Sequence, residues 1–113
     1  LEEKELETAL LAILFGSNDP IQDGFAFQRR MLRRPLSKSQ ASTAKRLLFL
    51  LFDFSQKRGL LDVLFLHHMD HLEERSLVEY FTTTDGLDFL MVYYLQRCRY
   101  QEAFEVEKAL SAA

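Results

Sequence analysis

The chain has 113 residues, 48% hydrophobic and 27% charged, with only 4 Gly and 2 Pro and a formal net charge of −3. That apolar content excludes an intrinsically disordered chain, and the scarcity of Gly and Pro favours long helices over many turns. The length suits one domain or a piece of one, and the uncapped last helix together with the leading leucine reads as an excerpt of a longer protein.

Residues 1–15 predict a helix with Leu6, Leu10, Ile13 and Leu14 on one stripe and glutamates at its start, where the helix dipole favours them. Gly16 reads as its stop, and residues 17–24 read as a loop because Asn18-Asp19-Pro20 and Asp23-Gly24 are turn signals. Residues 25–34 predict a short helix carrying Arg29, Arg30, Arg33 and Arg34 at i, i+4 spacing, ended by Pro35. Ser37-Lys38-Ser39-Gln40 has the form of a capping box and opens a long helix to about Lys57. Its stripe of Ala41, Ala44, Leu48, Leu51, Phe52 and Ser55 is broadened by Leu47 and Phe54, which marks a central helix with neighbours on two sides. Gly59 stops it, and residues 60–68 read as a further helix. Asp70 and Glu73 form a second capping box, opening a helix that carries Leu77, Val78, Tyr80 and Phe81, after which Thr84 or Asp85 is expected to cap the next.

Residues 85–110 read as two helices joined by the very short turn Arg97-Cys98-Arg99. Leu87, Leu90, Met91, Tyr94 and Leu95 make one apolar stripe, and Tyr100, Ala103, Phe104 and Leu110 the other. So short a connection makes the helices antiparallel neighbours, with Ala103 allowing close approach and Leu90, Tyr94 and Phe104 expected in the core. The fold expected is all-α, with six or seven helices arranged as helical hairpins stacked in an α-solenoid fragment, over residues 1–113 as a single domain or part of a longer solenoid.

The small net charge hides segregation. Residues 1–24 carry six acids and one base, residues 25–58 nine bases and one acid, and residues 59–113 ten acids and four bases. The basic middle supplies the candidate partner-binding face: Arg29, Arg30, Arg33, Arg34, Lys38, Lys45 and Arg46. It lacks the interleaved aromatics of a base-stacking surface, so nucleic acid is a weaker expectation than an acidic protein. His67 and His71 stand four apart beside Asp70, yet no third ligand is evident and a helix junction is the expected role. Cys98, alone in the chain, excludes an internal disulfide and a multi-cysteine zinc site, fits a reducing compartment, and reads as a small buried turn residue. No apolar run approaches the ~20 residues of a membrane span, and no phosphate-binding glycine loop or nucleophile elbow occurs. No enzyme activity, metal or cofactor is expected.

Leu77-Val78-Glu79-Tyr80-Phe81, Asp88-Phe89-Leu90, Tyr93-Tyr94-Leu95-Gln96-Arg97, Tyr100 and Ala103 together resemble the end of the helical domain of the ELYS family. The resemblance covers residues 77–110. It implies a non-catalytic scaffold module, with nuclear pore scaffold subunits as partners and the nucleus, at the nuclear envelope, as location. As an alternative it also reaches a plant RING-type ubiquitin ligase, whose catalysis-related domain would lie outside these residues. The alternative from charge alone is a basic-faced DNA or chromatin-binding module. A scaffold that docks other proteins is the first expectation.

Overall fold

The protein's structure is a computed structural model, and it describes residues 2–112. Its regular structure is α1 (Glu3–Gly16), α2 (Pro20–Met31), α3 (Lys38–Lys57), α4 (Leu61–Leu66), α5 (His71–Thr83), α6 (Leu87–Gln96) and α7 (Tyr100–Ala112), with no strand among the described residues. The protein is all-helical, as the 3.6-residue spacing predicts. Leu1, where the first helix is expected to start, lies outside the described residues. The chain divides into two compact units, Leu1–Met69 and Asp70–Ala113.

In the first unit α3 is the axis, packed against α1, α2 and α4. Its Ala44, Leu47, Leu48, Leu51, Phe52 and Phe54 are all buried, so the two-sided apolar face meets neighbours on both sides. The ends form as their residues dictate. Ser37 Oγ accepts from the Gln40 N–H at 3.3 Å, and Gln40 Oε1 accepts from the Ser37 N–H at 3.2 Å. At the other end Gly59 adopts φ +68, which lets its N–H reach the Gln56 carbonyl at 3.3 Å and the Leu60 N–H reach the Ser55 carbonyl at 2.8 Å.

The loop expected over residues 17–24 is instead mostly helix. Pro20 occupies the first turn of α2, where a missing N–H costs nothing. Ser17 Oγ donates to the Asp23 carboxylate and accepts from the Asp19 N–H at 2.9 Å, so the two turn-forming signals hold a helix start. Gly24 is there for closeness: a Cβ would lie 2.8 Å from Leu51 Cδ1 and 3.0 Å from Leu14 Cδ2. The same helix ends at Met31 rather than Arg34, because Leu32 turns into the core and is buried. In α4, Leu64 and Phe65 are buried while Val63 and Leu66 face solvent.

In the second unit α5 opens on the expected box, with Asp70 Oδ1 accepting from the Glu73 N–H and Glu73 Oε1 from the Asp70 N–H, both at 2.8 Å. The expectation that Thr84 or Asp85 caps α6 is overturned: Gly86 holds that position. Thr84 closes α5 by donating its Oγ1 to the Tyr80 carbonyl at 2.7 Å, and Asp85 takes a left-handed conformation at φ +60. Gly86 then precedes α6, since a Cβ there would meet Phe81 Cδ1 at 2.5 Å. Threonine hydroxyls reach back to the carbonyl four residues earlier as readily as they cap forward, which sequence order does not reveal.

Helices α6 and α7 pack as the expected hairpin. The turn is a left-handed one at Cys98, φ +56, with the Cys98 N–H on the Leu95 carbonyl at 3.1 Å and the Arg99 N–H on the Tyr94 carbonyl at 2.9 Å. This turn fixes the rotation of α7. It seats Ala103 and Val106 in the core and leaves Tyr100, Phe104 and Leu110 exposed, Phe104 at 57%. The expectation that Phe104 is core is therefore overturned: it sits about 100° around the helix from Ala103, and only one of the two can face α6. Likewise Tyr93 is fully buried and Leu95 is not, and Cys98 is exposed rather than buried.

Candidate functional site

The seven basic side chains singled out by sequence do not form one helical row. Arg33 and Arg34 lie beyond the end of α2. Arg29 places its guanidinium over the Phe25 ring, 5.3 Å from the centroid, and donates from Nη2 to the His68 carbonyl at 2.8 Å. Arg34 donates to the Leu32 carbonyl at 2.7 Å and to Gln28 Oε1 at 3.2 Å. Arg46 pairs with Glu7 at 2.8 Å. Arg30 lies 6.0 Å from the Phe27 centroid and Lys45 the same distance from that of Phe49, while Arg33 and Lys38 are exposed. Much of this basic set therefore holds the first unit together. A guanidinium over an aromatic ring or on a carbonyl is partly withdrawn from service to a ligand.

The histidines do not share a helix. His67 caps the C-terminus of α4 and stacks on Phe25, centroids 4.3 Å apart at 11°, whereas His71 opens α5. The i, i+4 spacing is thus not on one helix, and no group of three or more His, Cys, Asp or Glu side chains is poised to hold a metal among the described residues.

A polar cluster in the second unit is one that spacing could not show. Glu74 on α5 accepts from the Tyr93 hydroxyl at 2.7 Å with Oε2, while Oε1 is bonded by Arg99 Nη1. Arg99 also donates from Nε to Glu102 Oε2 at 2.9 Å and from Nη2 to the same oxygen at 2.7 Å, with its guanidinium 5.1 Å from the Tyr94 ring centroid. Burial pushes the Glu74 carboxyl upward, but the hydrogen bonds from Arg99 and Tyr93 outweigh it and hold the group below the ordinary carboxylate range. Burial first, and the Glu74 carboxylate second, push the Tyr93 phenol far above its usual value. A carboxylate stabilised as the anion and a phenol kept protonated make a poor acid–base pair. This cluster is a clamp that ties α5 to α6 and to the start of α7. Its members are 19 and 25 residues apart in sequence, so no local pattern could announce it.

Two apolar surfaces remain in the second unit. Among the described residues, five of the ten exposed large apolar side chains lie on the α6–α7 hairpin: Val92, Leu95, Tyr100, Phe104 and Leu110. Separately, α5 and α7 flank α6 to form an open groove of about 290 Å³, floored by Leu87, Leu90 and Tyr94 and walled by Val78, Val106 and Ala109. No protein-family model matches the chain, and no curated protein is significantly similar to it.

Proposed function

We propose that the chain is a non-catalytic scaffold module, a nucleoporin-like helical segment that docks other protein subunits in nuclear pore assembly or anchoring at the nuclear envelope. The observation that carries this reading is the α6–α7 hairpin, which leaves Tyr100 and Phe104 exposed at 64% and 57% within the stretch that resembles the ELYS family. Exposed aromatic side chains on a rigid hairpin are the anchors by which stacked helical repeats and their partners bury surface. The fold supports the reading as well: an all-helical chain of short turns, with the polar cluster around Glu74 and Arg99 engaged in tying helices together.

Binding of purified nuclear pore scaffold subunits to the chain tests it, alongside the double variant Tyr100→Ser with Phe104→Ser. Capture of a subunit by the parent chain and its loss in a folded double variant is the expected result. Capture of DNA instead, with an affinity that falls steeply as salt rises, would replace the scaffold by a nucleic-acid module.

A further inference from the structure

The geometry points to the groove over α6 as a docking site for a basic amphipathic helix of a partner protein. This deepens the scaffold reading, on which it rests for taking a protein segment as occupant. The floor is the stripe Leu87, Leu90 and Tyr94, at i, i+3 and i+7 along α6. It spans roughly 10 Å at the 1.5 Å rise of a helix. Helix α6 packs against both α5 and α7, which flank it rather than pairing extensively with each other, so the slot lies between two helix walls. A helix with apolar side chains at i, i+3, i+4 and i+7 fits such a slot. An extended strand does not, because apolar helix walls offer no partners for its N–H and C=O groups.

Charge selects the sign of the occupant. Among the described residues, the charged side chains lining the groove are Glu102 and Glu105, both acidic. Residues 70–113 carry nine acids and four bases. Arg99 is bonded between Glu74 and Glu102, Arg97 lies 5.0 Å from the Tyr93 ring centroid, and Lys108 reaches only to 3.9 Å from Glu105, a long contact at an exposed position. Glu105 thus keeps a solvent-facing charge at the rim, where it steers and orients a cation-bearing partner. A second copy of the chain is a poor occupant. Its basic residues lie mainly on α2 and α3 and the loop between them, and the apolar faces of those helices, including Ile21, Phe25, Leu48 and Phe52, are already buried.

The test uses a synthetic helical peptide of about 18 residues, long enough to hold a helix, with Leu and Ala on one stripe and Lys and Arg beside it. Its partner probe carries Glu in place of every Lys and Arg. Fluorescence anisotropy should give saturable binding of the basic peptide to the full chain in the micromolar range, with the acidic probe at least about tenfold weaker. Glu105→Lys, on an exposed side chain, should weaken the basic peptide about tenfold, and Ala109→Arg should abolish binding by filling the slot with bulk and like charge. Amide shifts on titration should map to α5, α6 and α7 around Leu87 and Val106. Equal binding of both probes, no saturable binding, unchanged affinity in folded Ala109→Arg, or shifts mapping elsewhere each overturn the proposal. Self-association abolished by Ala109→Arg would give the groove to a second copy and overturn it too. Phe104→Ser separates the two readings: it should leave peptide affinity unchanged. Peptide binding without any subunit capture sinks the scaffold reading alone, and capture without peptide binding sinks the groove alone.

Discussion

Helix α3 and helix α7 are both rich in apolar residues, yet they do opposite things with them. In α3, packed on α1, α2 and α4, the aromatic Phe52 is fully buried, and Gly24 lets a neighbouring backbone come within reach of Leu51. In α7, packed on α6, only Ala103 and Val106 are buried, and the larger Tyr100 and Phe104 face outward. Burial thus follows the number of helices that surround an element, not its apolar content. A helix with neighbours on several sides hides a wide face. A helix in a hairpin hides one narrow stripe, and a small residue often wins that stripe because it allows close approach.

The largest loss is expected for Phe52→Ala. It should destabilise the chain by about 3–5 kcal/mol in urea denaturation, the loss expected when a fully buried aromatic leaves a cavity. A loss no larger than that of a surface substitution would deny α3 its place as the axis.

Next in size is the clamp of the second unit. Arg99→Ala should cost about 1–2 kcal/mol, since hydrogen bonds to a charged group are strong but this one is partly open to solvent. The pH dependence carries its signature. Because the folded-state pKa of Glu74 is depressed, its stabilising effect is fully present above the ordinary carboxylate range and is lost as pH falls through the folded value. Stability measured from neutral pH down to about pH 3 should therefore fall less steeply in Glu74→Gln than in the parent chain. Parallel curves would mean that the clamp adds nothing to the fold.

Helices α3 and α6 also differ in how they end. Both α3 and α6 end in a left-handed residue, but α3 has Gly59 at φ +68 and α6 has Cys98 at φ +56. A side chain in that conformation costs about 1 kcal/mol. Cys98→Gly should accordingly raise stability by up to ~1 kcal/mol, while Gly59→Ala lowers it by a similar amount, both read from thermal melts. If the two changes shift the melting temperature in the same direction, backbone strain does not distinguish the turns.

What the sequence made legible was local. Ser37 with Gln40, Asp70 with Glu73 and Gly59 all act at the positions where their side chains or their freedom of φ predict, because each works within a few residues of itself. The stripe of α3 was legible because it is so wide that no rotation could expose it. Two things were hidden. The close approach at Gly24, where a Cβ would meet Leu51 and Leu14, is a fit between helices that local turn signals cannot weigh. The network of Glu74, Tyr93 and Arg99 joins residues 19 and 25 positions apart, and in sequence its members look like ordinary surface charges and a stripe neighbour. The basic set shows the same limit. Spacing places Arg29 and Arg34 on a face, but only packing shows that they bond the His68 and Leu32 carbonyls.

The smallest expected effect falls on the side chain that sequence placed in the core. Phe104 and Ala103 are adjacent, so rotating α7 to bury one exposes the other, and the Cys98 turn settles the matter by the direction in which it releases the chain. With Ala103 buried, Phe104 has Lys108 Nζ 5.6 Å from its ring centroid and is 57% exposed. Phe104→Ala should therefore change stability by no more than about 0.5 kcal/mol, as for other surface substitutions. Ala103→Phe should behave oppositely, forcing a large ring between two packed helices at a cost of about 1–3 kcal/mol. Equilibrium unfolding of the two variants reads the rotation of α7 directly. A Phe104→Ala variant destabilised as strongly as Phe52→Ala, beside an Ala103→Phe variant that melts like the parent, would turn α7 the other way and remove the aromatic anchor from which the scaffold reading is drawn.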